Sequence, residues 1–309
     1  MDKNTVIGLI LIIGIFAGFS WLNKPSKEQL EARKRYQDSI AQVQLHAQQQ
    51  AAETQKLLSE QKNQEADNDS IIAAKSGLFA NVVKGDTALV EVETDLLKLQ
   101  FSHKGGSLYS AELKNYRTHD SLPLVLFNGK EENLLAFIFN TIDNRVFSSE
   151  DLFFKPQEIV EDSTSKRLVF RLEMSDTSFM DFVYTIQKNS YVIDFDIVAN
   201  KMLSYFYPMT DALEMIWKNK ISQQEKGRKF EGNYSTLNYR FANSDMEKLS
   251  AAKNDAKIIQ TPVQWIAAKD QFFSAVLLAK QGFPTAKLTS EAFGENSKYL
   301  KNFTVNSSV

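Results

Sequence analysis

The chain has 309 residues, a formal net charge of −2, no cysteine and three histidines. The near-neutral charge gives no electrostatic reason to expect a nucleic acid as partner. Without cysteine, a disulfide framework, a thiolate nucleophile and a Cys-ligated metal site are all excluded. A content of 43% hydrophobic and 24% charged residues is typical of a globular domain joined to something long and polar.

The first element is an apolar segment, Thr5 to Leu22, without a charge, amide or proline. As a helix it would be roughly 27 Å long, close to the hydrocarbon thickness of a bilayer. We therefore predict a transmembrane anchor over residues 1–24. A cleaved signal peptide is one alternative, but the apolar run is too long and the following SWLNKPSKEQ offers no small-residue cleavage site. A buried helix of a soluble domain is another, and it conflicts with the polarity of the rest of the chain.

A polar spacer, residues 25–76, follows the anchor and is rich in Lys, Glu, Gln and Ala. Ser26 and Gln29 form a capping-box pattern that favours a helix start after Pro25. The helix would carry only a thin apolar stripe, so we predict a solvated spacer or a weak coiled coil that frays into disorder. The stripe consists of Tyr36, Ile40, Val43, Ala47, Ala51, Thr54 and Leu58.

The pattern changes to period two in the β domain that we predict over residues 77–309. Within Thr87 to Ser102, Leu97, Leu99 and Phe101 alternate with polar residues, which is typical of a strand with one buried face. The sequence HKGG that follows predicts a turn, because glycine accepts a positive φ that other residues avoid. The next strand leads to Ala111, Leu113 and Tyr116.

Strand patterns then continue almost to the end of the chain. A turn at Asn128-Gly129 separates two of them, and the turn KNS predicts a hairpin in which Tyr191, Ile193, Phe195 and Ile197 face inward. Residues 230–255 are the least regular, and we predict a long loop with a short helix there. The predicted strand segments are residues 122–127, 134–139, 167–174, 179–187, 191–199 and 260–280, the last around Trp265, Phe272 and Phe273.

Few residues qualify as candidates for chemistry. His46 lies in the spacer, and His103 and His119 lie in predicted loops, so none has an evident orienting partner for acid–base work. Asp194 and Asp196 project from one strand face, where they could bind calcium or act as an acid–base pair. Simple alternation on the solvent face of an antiparallel strand predicts the same two residues, and we favour that reading.

At least ten candidate strands without intervening helical patterns predict an all-β fold, a large sandwich. We find no dinucleotide, Walker, nucleophile-elbow or zinc-protease motif. We therefore assign no catalytic, cofactor-binding or metal-binding residue and expect no enzyme and no cofactor. An anchor, a spacer and a β domain point instead to binding or scaffolding at a membrane.

Three local patterns resemble the N-terminal part of the bacterial membrane protein insertase YidC family. They are the opening MDKNTVIGLILI, the strand and glycine turn VEVETDLLKLQFSHKGGSLYSAELKNY, and WIAAKDQFFSAVLL. In that family, such segments begin the first transmembrane helix, begin the periplasmic domain and lie in its later strands. The resemblance covers essentially the whole chain.

The resemblance implies a mutarotase-like β-supersandwich in the periplasm and a protein without a cofactor that helps insert and fold membrane proteins. The implied partners are the lipid bilayer, nascent membrane proteins and the Sec translocon. In the family, insertion uses a polar groove formed by later transmembrane helices. No second apolar run of about eighteen residues occurs here, and the sequence ends at Val309 in a strand-like region, so we expect a truncated form that lacks the groove.

The orientation of the anchor is a point of conflict. Only Lys3 precedes the anchor, whereas five basic residues follow it, which by the positive-inside rule places the β domain in the cytoplasm. The resemblance implies an inner-membrane protein with a cytoplasmic N-terminus and a periplasmic β domain, and we follow it because large domains translocate largely regardless of charge. The five residues are Lys24, Lys27, Arg33, Lys34 and Arg35.

A second hypothesis comes from another functional class. A mutarotase-like or carbohydrate-binding sandwich could also be anchored at the membrane. A mutarotase would need a general acid and a general base, typically His and Glu, facing one sugar pocket. This hypothesis therefore requires His103 and His119 to lie close together.

Overall fold

The computed structural model describes residues 75–207, 212–241 and 245–309. The predicted anchor, most of the spacer and His46 lie outside these residues. Residues 72–309 cluster as one compact unit. In chain order the strands are β1 (Leu89–Glu93), β2 (Leu97–Ser102), β3 (Ser107–Arg117), β4 (Pro123–Asn128), β5 (Asn133–Asn140), β6 (Val146–Ser148), β7 (Lys155–Pro156), β8 (Val160–Glu161), β9 (Ser165–Ser175), β10 (Ser178–Gln187), β11 (Ile193–Asn200), β12 (Glu214–Ser222), β13 (Thr236–Phe241), β14 (Met246–Lys248), β15 (Asp255–Ile259), β16 (Val263–Lys269), β17 (Ser274–Phe283), β18 (Ala286–Ala292) and β19 (Tyr299–Ser308).

The strands form four antiparallel sheets, which confirms the predicted all-β class. Sheet 1 has the order β1-β2-β3-β4, and sheet 2 has the order β11-β10-β9-β7 with β8 also paired to β9. Sheet 3 has the order β15-β18-β19-β12-β5-β6, and sheet 4 has the order β14-β13-β16-β17. Helical structure within the described residues is short and includes α1 (Arg228–Tyr234) and two 3-10 turns at Gly77–Phe79 and Ser149–Asp151.

One cluster of buried apolar side chains joins the sheets, and aromatic rings form its centre. The Phe101 and Tyr184 rings are 4.7 Å apart, and the Phe154 and Phe182 rings are 4.6 Å apart. Phe195 on β11 completes this centre, with its ring 4.9 Å from that of Tyr184. Because each large ring buries much apolar area, and favourable ring pairs add to that gain, these side chains account for much of the driving force that holds the sheets together.

The glycine turn lies between β2 and β3, as the sequence predicts. Gly105 and Gly106 have φ values of +91° and +57°, a region that side chains with a Cβ atom avoid. A Cβ on Gly106 would lie 2.9 Å from the Phe154 ring, and the Tyr184 hydroxyl donates a 2.8 Å hydrogen bond to the Gly106 carbonyl. The second glycine is therefore required both by the backbone conformation and by the packing of the aromatic centre.

Several sequence-based boundaries need correction. Thr87 to Ser102 is two strands, because the Thr94 hydroxyl accepts hydrogen bonds from the Leu96 and Leu97 N–H groups and turns the chain. Asn128-Gly129 does form a turn, with a Gly129 φ of +102°, but β4 belongs to sheet 1 and β5 to sheet 3. The turn therefore passes the chain between sheets.

The predicted loop over residues 230–255 is wrong in its main part. The short helix is present as α1, but β13, β14 and the start of β15 occupy most of the segment. In β13 the first four residues are all buried, so the period-two signal of a half-exposed strand is absent there. A strand that is buried on both faces shows no alternation of apolar and polar residues. Because the buried positions of β13 include the polar residues Thr236 and Asn238, the segment also lacks a continuous apolar run.

Two aromatic assignments also change. Phe272 and Phe273 lie in the turn between β16 and β17, not in a strand, because Asp270 N–H donates to the Phe273 carbonyl at 2.8 Å and closes a tight hairpin. The hairpin of β10 and β11 is confirmed. Within it, Ile193, Phe195 and Ile197 pack on the core, whereas Tyr191, which we predicted inward, is 45% exposed.

Among the described residues, no helix is long and apolar enough to cross a lipid bilayer.

Candidate functional site

A cleft of about 540 Å³ opens beside the glycine turn. One wall comes from the segment that precedes β1, and the other from β7 and the end of β9. Its lining combines aromatic and other apolar side chains with charged groups of both signs. The lining residues include Phe153, Met174, Lys155, Glu173, Asp176 and His103. A concave surface with an apolar floor and a few polar groups is the usual form of a ligand site.

Acid–base chemistry in this cleft is poorly supported by its own contacts. His103 Nδ1 is 3.7 Å from Asp86 Oδ2, which is too long for a hydrogen bond that would orient the ring. Glu173 accepts a 2.7 Å hydrogen bond from Lys155 Nζ, and this bond lowers the pKa of the Glu173 carboxyl. A carboxyl with a lowered pKa stays ionised near neutral pH and is a weak general acid.

His119 lies far from this cleft. His103 precedes β3 and His119 follows it, and β3 has 11 residues, so its two ends are roughly 30 Å apart. His119 Nδ1 is instead 2.9 Å from the Gln224 carbonyl oxygen, where the ring N–H would be the donor. The two histidines therefore do not share a pocket, and the condition that we set for a mutarotase-like site is not met.

Asp194 and Asp196 lie on the exposed face of β11, as alternation predicted. The nearest cation to either is Lys280, whose Nζ is 3.9 Å from Asp196 Oδ1. No group of three or more His, Asp or Glu side chains within the described ranges is placed to hold a metal ion. We therefore assign neither aspartate to a calcium site.

A buried pair of acids, Glu231 and Asp270, has no counterpart in the sequence analysis. Glu231 on α1 is fully buried and Asp270 is 5% exposed. The Glu231 carboxyl accepts hydrogen bonds from the Gln224 N–H at 2.8 Å and from the Glu225 N–H at 3.2 Å. Ser235 Oγ donates to Asp270 Oδ1 at 3.0 Å. No sequence signal marks this pair, because the two acids are brought together only by the packing of α1 against the β16–β17 hairpin.

Burial raises the pKa of Glu231 to about 8, and the hydrogen bond with Asp270 acts in the same direction. Glu231 is therefore protonated at neutral pH and can donate a hydrogen bond to Asp270. A small cavity of about 20 Å³ adjoins Asp270 and Gln224, enough for one water molecule. We interpret the pair as a structural site that shares a proton, because both acids are buried and both carboxyls accept hydrogen bonds from within the fold.

A buried lysine is the second unpredicted group. Lys301 on β19 is 3% exposed, and its Nζ makes no hydrogen bond within the described part of the chain. Burial lowers the pKa of its amine, because the charged form is disfavoured away from water. The period-two pattern of β19 predicts a buried position for Lys301, since Lys301 shares an inward face with Phe303 and Val305.

Comparison with known proteins shows the family to which the chain belongs. Residues 89–309 match the family model described as the YidC periplasmic domain. The chain is 40% identical over its whole length to the membrane protein insertase YidC of Parabacteroides distasonis, covering 49% of that protein. It is 34% identical over its whole length to the Bacteroides fragilis protein of the same name, covering 48% of it, and 32% identical over 99% of its length to that of Porphyromonas gingivalis, again covering 48%.

The chain thus spans about half the length of these relatives. Among solved structures, a galactose mutarotase-like protein from Lactobacillus casei aligns with a TM-score of 0.43 at 12% identity, over 72% of this chain and 87% of that one.

Proposed function

Because the chain belongs to the membrane protein insertase YidC family, we propose that it supplies the membrane-anchored periplasmic part of an insertase that assists insertion, folding and assembly of integral membrane proteins. The observation that carries the proposal is the match to named insertases along the entire chain, together with the domain model over residues 89–309. In this proposal residues 1–24 are the anchor, residues 25–76 the spacer and residues 77–309 the periplasmic domain.

The role we propose for the β domain is binding, without an enzymatic step and without a cofactor. Its partners would be nascent membrane proteins at the bilayer, with or without the Sec translocon. Two contacts in the cleft argue against acid–base catalysis there. In the described part of the chain, the cleft histidine has no acid at hydrogen-bond distance, and the cleft glutamate is ion-paired. A carbohydrate-converting role has less support, since His103 and His119 lie at opposite ends of β3.

Photo-crosslinking tests the proposed function. A photoreactive amino acid is placed at exposed positions spread over the domain, Val146, Leu203 and Ile258, which are 66%, 87% and 68% exposed. We expect crosslinks to a ribosome-bound nascent inner-membrane protein from at least one position. A nascent cytosolic protein of equal length is the control. Equal crosslinking to both nascent chains, or none to the membrane protein, would contradict the proposal.

Protease accessibility tests the proposed orientation, with the N-terminus in the cytoplasm and the β domain in the periplasm. In spheroplasts that express the full chain, protease added outside should cut the β domain, because the outer surface of the inner membrane is then open to solvent. A cytoplasmic marker protein should stay intact in the same sample. A β domain that resists protease until the membrane is lysed would support the orientation that the basic residues after the anchor favour.

A further inference from the structure

Two long strands, β11 and β17, lie at the ends of their sheets. β11 has 8 residues and ends sheet 2, and β17 has 10 residues and ends sheet 4. Within the described ranges, no backbone hydrogen bond satisfies the outer edge of either strand. An unpaired edge presents a row of N–H and C=O groups that another strand can bind.

Other ends of these sheets are protected in ways that β11 and β17 are not. The opposite end of sheet 2 is β7, which has two residues and contains Pro156. The opposite end of sheet 4 is β14, with 3 residues. Short strands and prolines are the usual means by which proteins block unwanted edge pairing. β11 and β17 contain no proline, so their edges remain competent to pair.

The two open edges face each other. Asp196 and Lys280 lie on the exposed faces of β11 and β17, and their side chains meet at 3.9 Å. Because β11 and β17 each end their sheet, this contact brings the two sheet ends near each other at Asp196 and Lys280. The gap between these two edges is called here the β11–β17 slot.

The two strands also run in the same direction. The Tyr116 ring lies 6.5 Å from Tyr191, just before β11, and 5.1 Å from Phe273, just before β17. Both strands therefore begin at the Tyr116 end of the slot, and the Asp196–Lys280 contact lies further along both. A single extended segment that enters the slot antiparallel to one strand is then antiparallel to the other as well.

The hydrogen-bonding groups of β17 point into the slot at defined residues. Asp270 and Phe273 form the hydrogen-bonded pair that closes the β16–β17 hairpin, and such pairs alternate with non-bonded pairs along an antiparallel ladder. With Ala267 opposite Val276 and Trp265 opposite Leu278, the N–H and C=O groups of Val276 and Leu278 point away from β16. These two residues are 53% and 65% exposed, so their side chains face solvent beside the slot.

The side chains around the slot specify what would fit it. The inward positions beside it are apolar and half-buried, among them Phe195, Ile197, Leu277 and Ala279. The outward side carries the carboxylates of Asp194 and Asp196. Among the described residues Asp194 has no ion-pair partner, and Asp196 has only the highly exposed Lys280. The net charge at this rim is negative, which favours a cationic partner.

We propose that the β11–β17 slot binds an extended polypeptide segment by strand addition, with apolar side chains facing inward and basic side chains facing Asp194 and Asp196. Backbone hydrogen bonds to both edges would supply affinity, and alternate side chains would supply selectivity. This inference takes its biological setting from the proposed insertase role. Its test uses purified protein and a synthetic peptide, so it can fail while nascent-chain crosslinking at the other positions succeeds.

The probe is the capped heptapeptide KVTVKVT, in which valines alternate with lysine and threonine, labelled for fluorescence anisotropy with the full chain in detergent. We expect binding, and slower hydrogen exchange at the Val276 and Leu278 amides when the peptide is present. The peptide EVTVEVT is the charge control and should bind at least about tenfold more weakly, because it places acids opposite Asp194 and Asp196.

Variants separate backbone pairing from side-chain effects. Leu278→Pro removes an outward N–H without removing a bond to β16 and should weaken KVTVKVT binding about tenfold or more. Leu278→Thr is the matched control, since it also loses the apolar side chain but keeps the N–H, and should stay within about threefold of the parent. Circular dichroism and urea unfolding of both variants verify that the fold is retained.

Three results would overturn the inference. One is the absence of saturable binding of KVTVKVT at millimolar concentration to the folded parent protein. Another is equal binding by Leu278→Pro and Leu278→Thr, or protection of amides elsewhere in place of Val276 and Leu278. The last is slow exchange of both amides in the protein without peptide, which would mean that another segment of the same chain already fills the slot.

Discussion

Replacing Glu231 with glutamine is expected to remove much of the loss of stability that the domain suffers between pH 5 and pH 8. In the folded protein, burial raises the pKa of Glu231 to about 8 from an ordinary value of 4.5. Between these two values the folded state holds a proton that the unfolded state releases. The free energy of unfolding therefore falls as pH rises, by at most about 1.4 kcal/mol per pH unit from this group.

The direction in which the free energy of unfolding changes with pH is set by whether the folded or the unfolded state binds more protons. Below pH 4.5 Glu231 is protonated in both states and contributes no pH dependence. As pH rises through the folded pKa, the stabilising contribution is lost, and above it both states are ionised. Glutamine cannot ionise, and its amide can donate to Asp270 as the protonated acid does. Glutamine has one acceptor oxygen fewer than glutamate, so the variant loses the 3.2 Å hydrogen bond from the Glu225 N–H. This loss costs about 1 kcal/mol at every pH.

Urea unfolding at pH 5, 6, 7 and 8 measures this prediction. The variant should be less stable than the parent at pH 5 and more stable at pH 8, a relative change on the order of 3 kcal/mol. Glu131→Gln is the matched control, since the Glu131 side chain is 82% exposed, and it should follow the parent within about 0.5 kcal/mol. Parallel pH profiles for the parent and Glu231→Gln would contradict a protonated Glu231.

Local sequence patterns predict the hairpins of this domain well. In β2 the predicted alternation matches the burial of Leu97, Leu99 and Phe101, because one face of that strand meets the core and the other meets more polar surroundings. The glycine turn was predictable for a similar reason, since two adjacent glycines mark a backbone that needs positive φ. These features depend on residues within about ten positions of one another.

Features that depend on distant segments escaped the sequence analysis. The local pattern predicts a loop at β13 because the first four residues of that strand are all buried, so no alternation marks it. In the sequence, nothing distinguishes Glu231 and Asp270 from other acidic residues, because only the packing of α1 against the β16–β17 hairpin buries them together. The β11–β17 slot also arises only when two sheets place their ends side by side. Asp194 and Asp196 were singled out from the sequence, but their role as a charged rim depends on β17.

The two hydrogen bonds between Arg171 and Asp181 tie β9 to β10, beside the strand that forms one wall of the slot. Arg171 Nε donates to Asp181 Oδ1 at 2.8 Å and Nη2 donates to Oδ2 at 2.7 Å. Asp181 is 8% exposed, and the Arg171 guanidinium also lies 3.7 Å from the centre of the Phe179 ring. Arg171 is half-buried on β9, and the buried acid opposite it on β10 gives the arginine a structural role.

Arg171→Met is expected to destabilise the domain by about 3 to 5 kcal/mol, because it leaves the Asp181 carboxylate buried without a partner. Replacing both residues, Arg171→Met with Asp181→Leu, should recover most of this loss, since an apolar pair of similar volume needs no desolvation of charge. Urea unfolding of the parent, both single variants and the double variant completes a double-mutant cycle.

Lys155→Met is the matched control on the same sheet. Its ion pair with Glu173 is also short, 2.7 Å, but the lysine is 74% exposed, so its loss should cost no more than about 1 kcal/mol. If Arg171→Met cost as little as Lys155→Met, the Asp181 carboxylate would have to be solvated in the folded protein. A double variant no more stable than Arg171→Met would instead assign the loss to packing of the arginine on Phe179, because then the unpaired charge would not be its source.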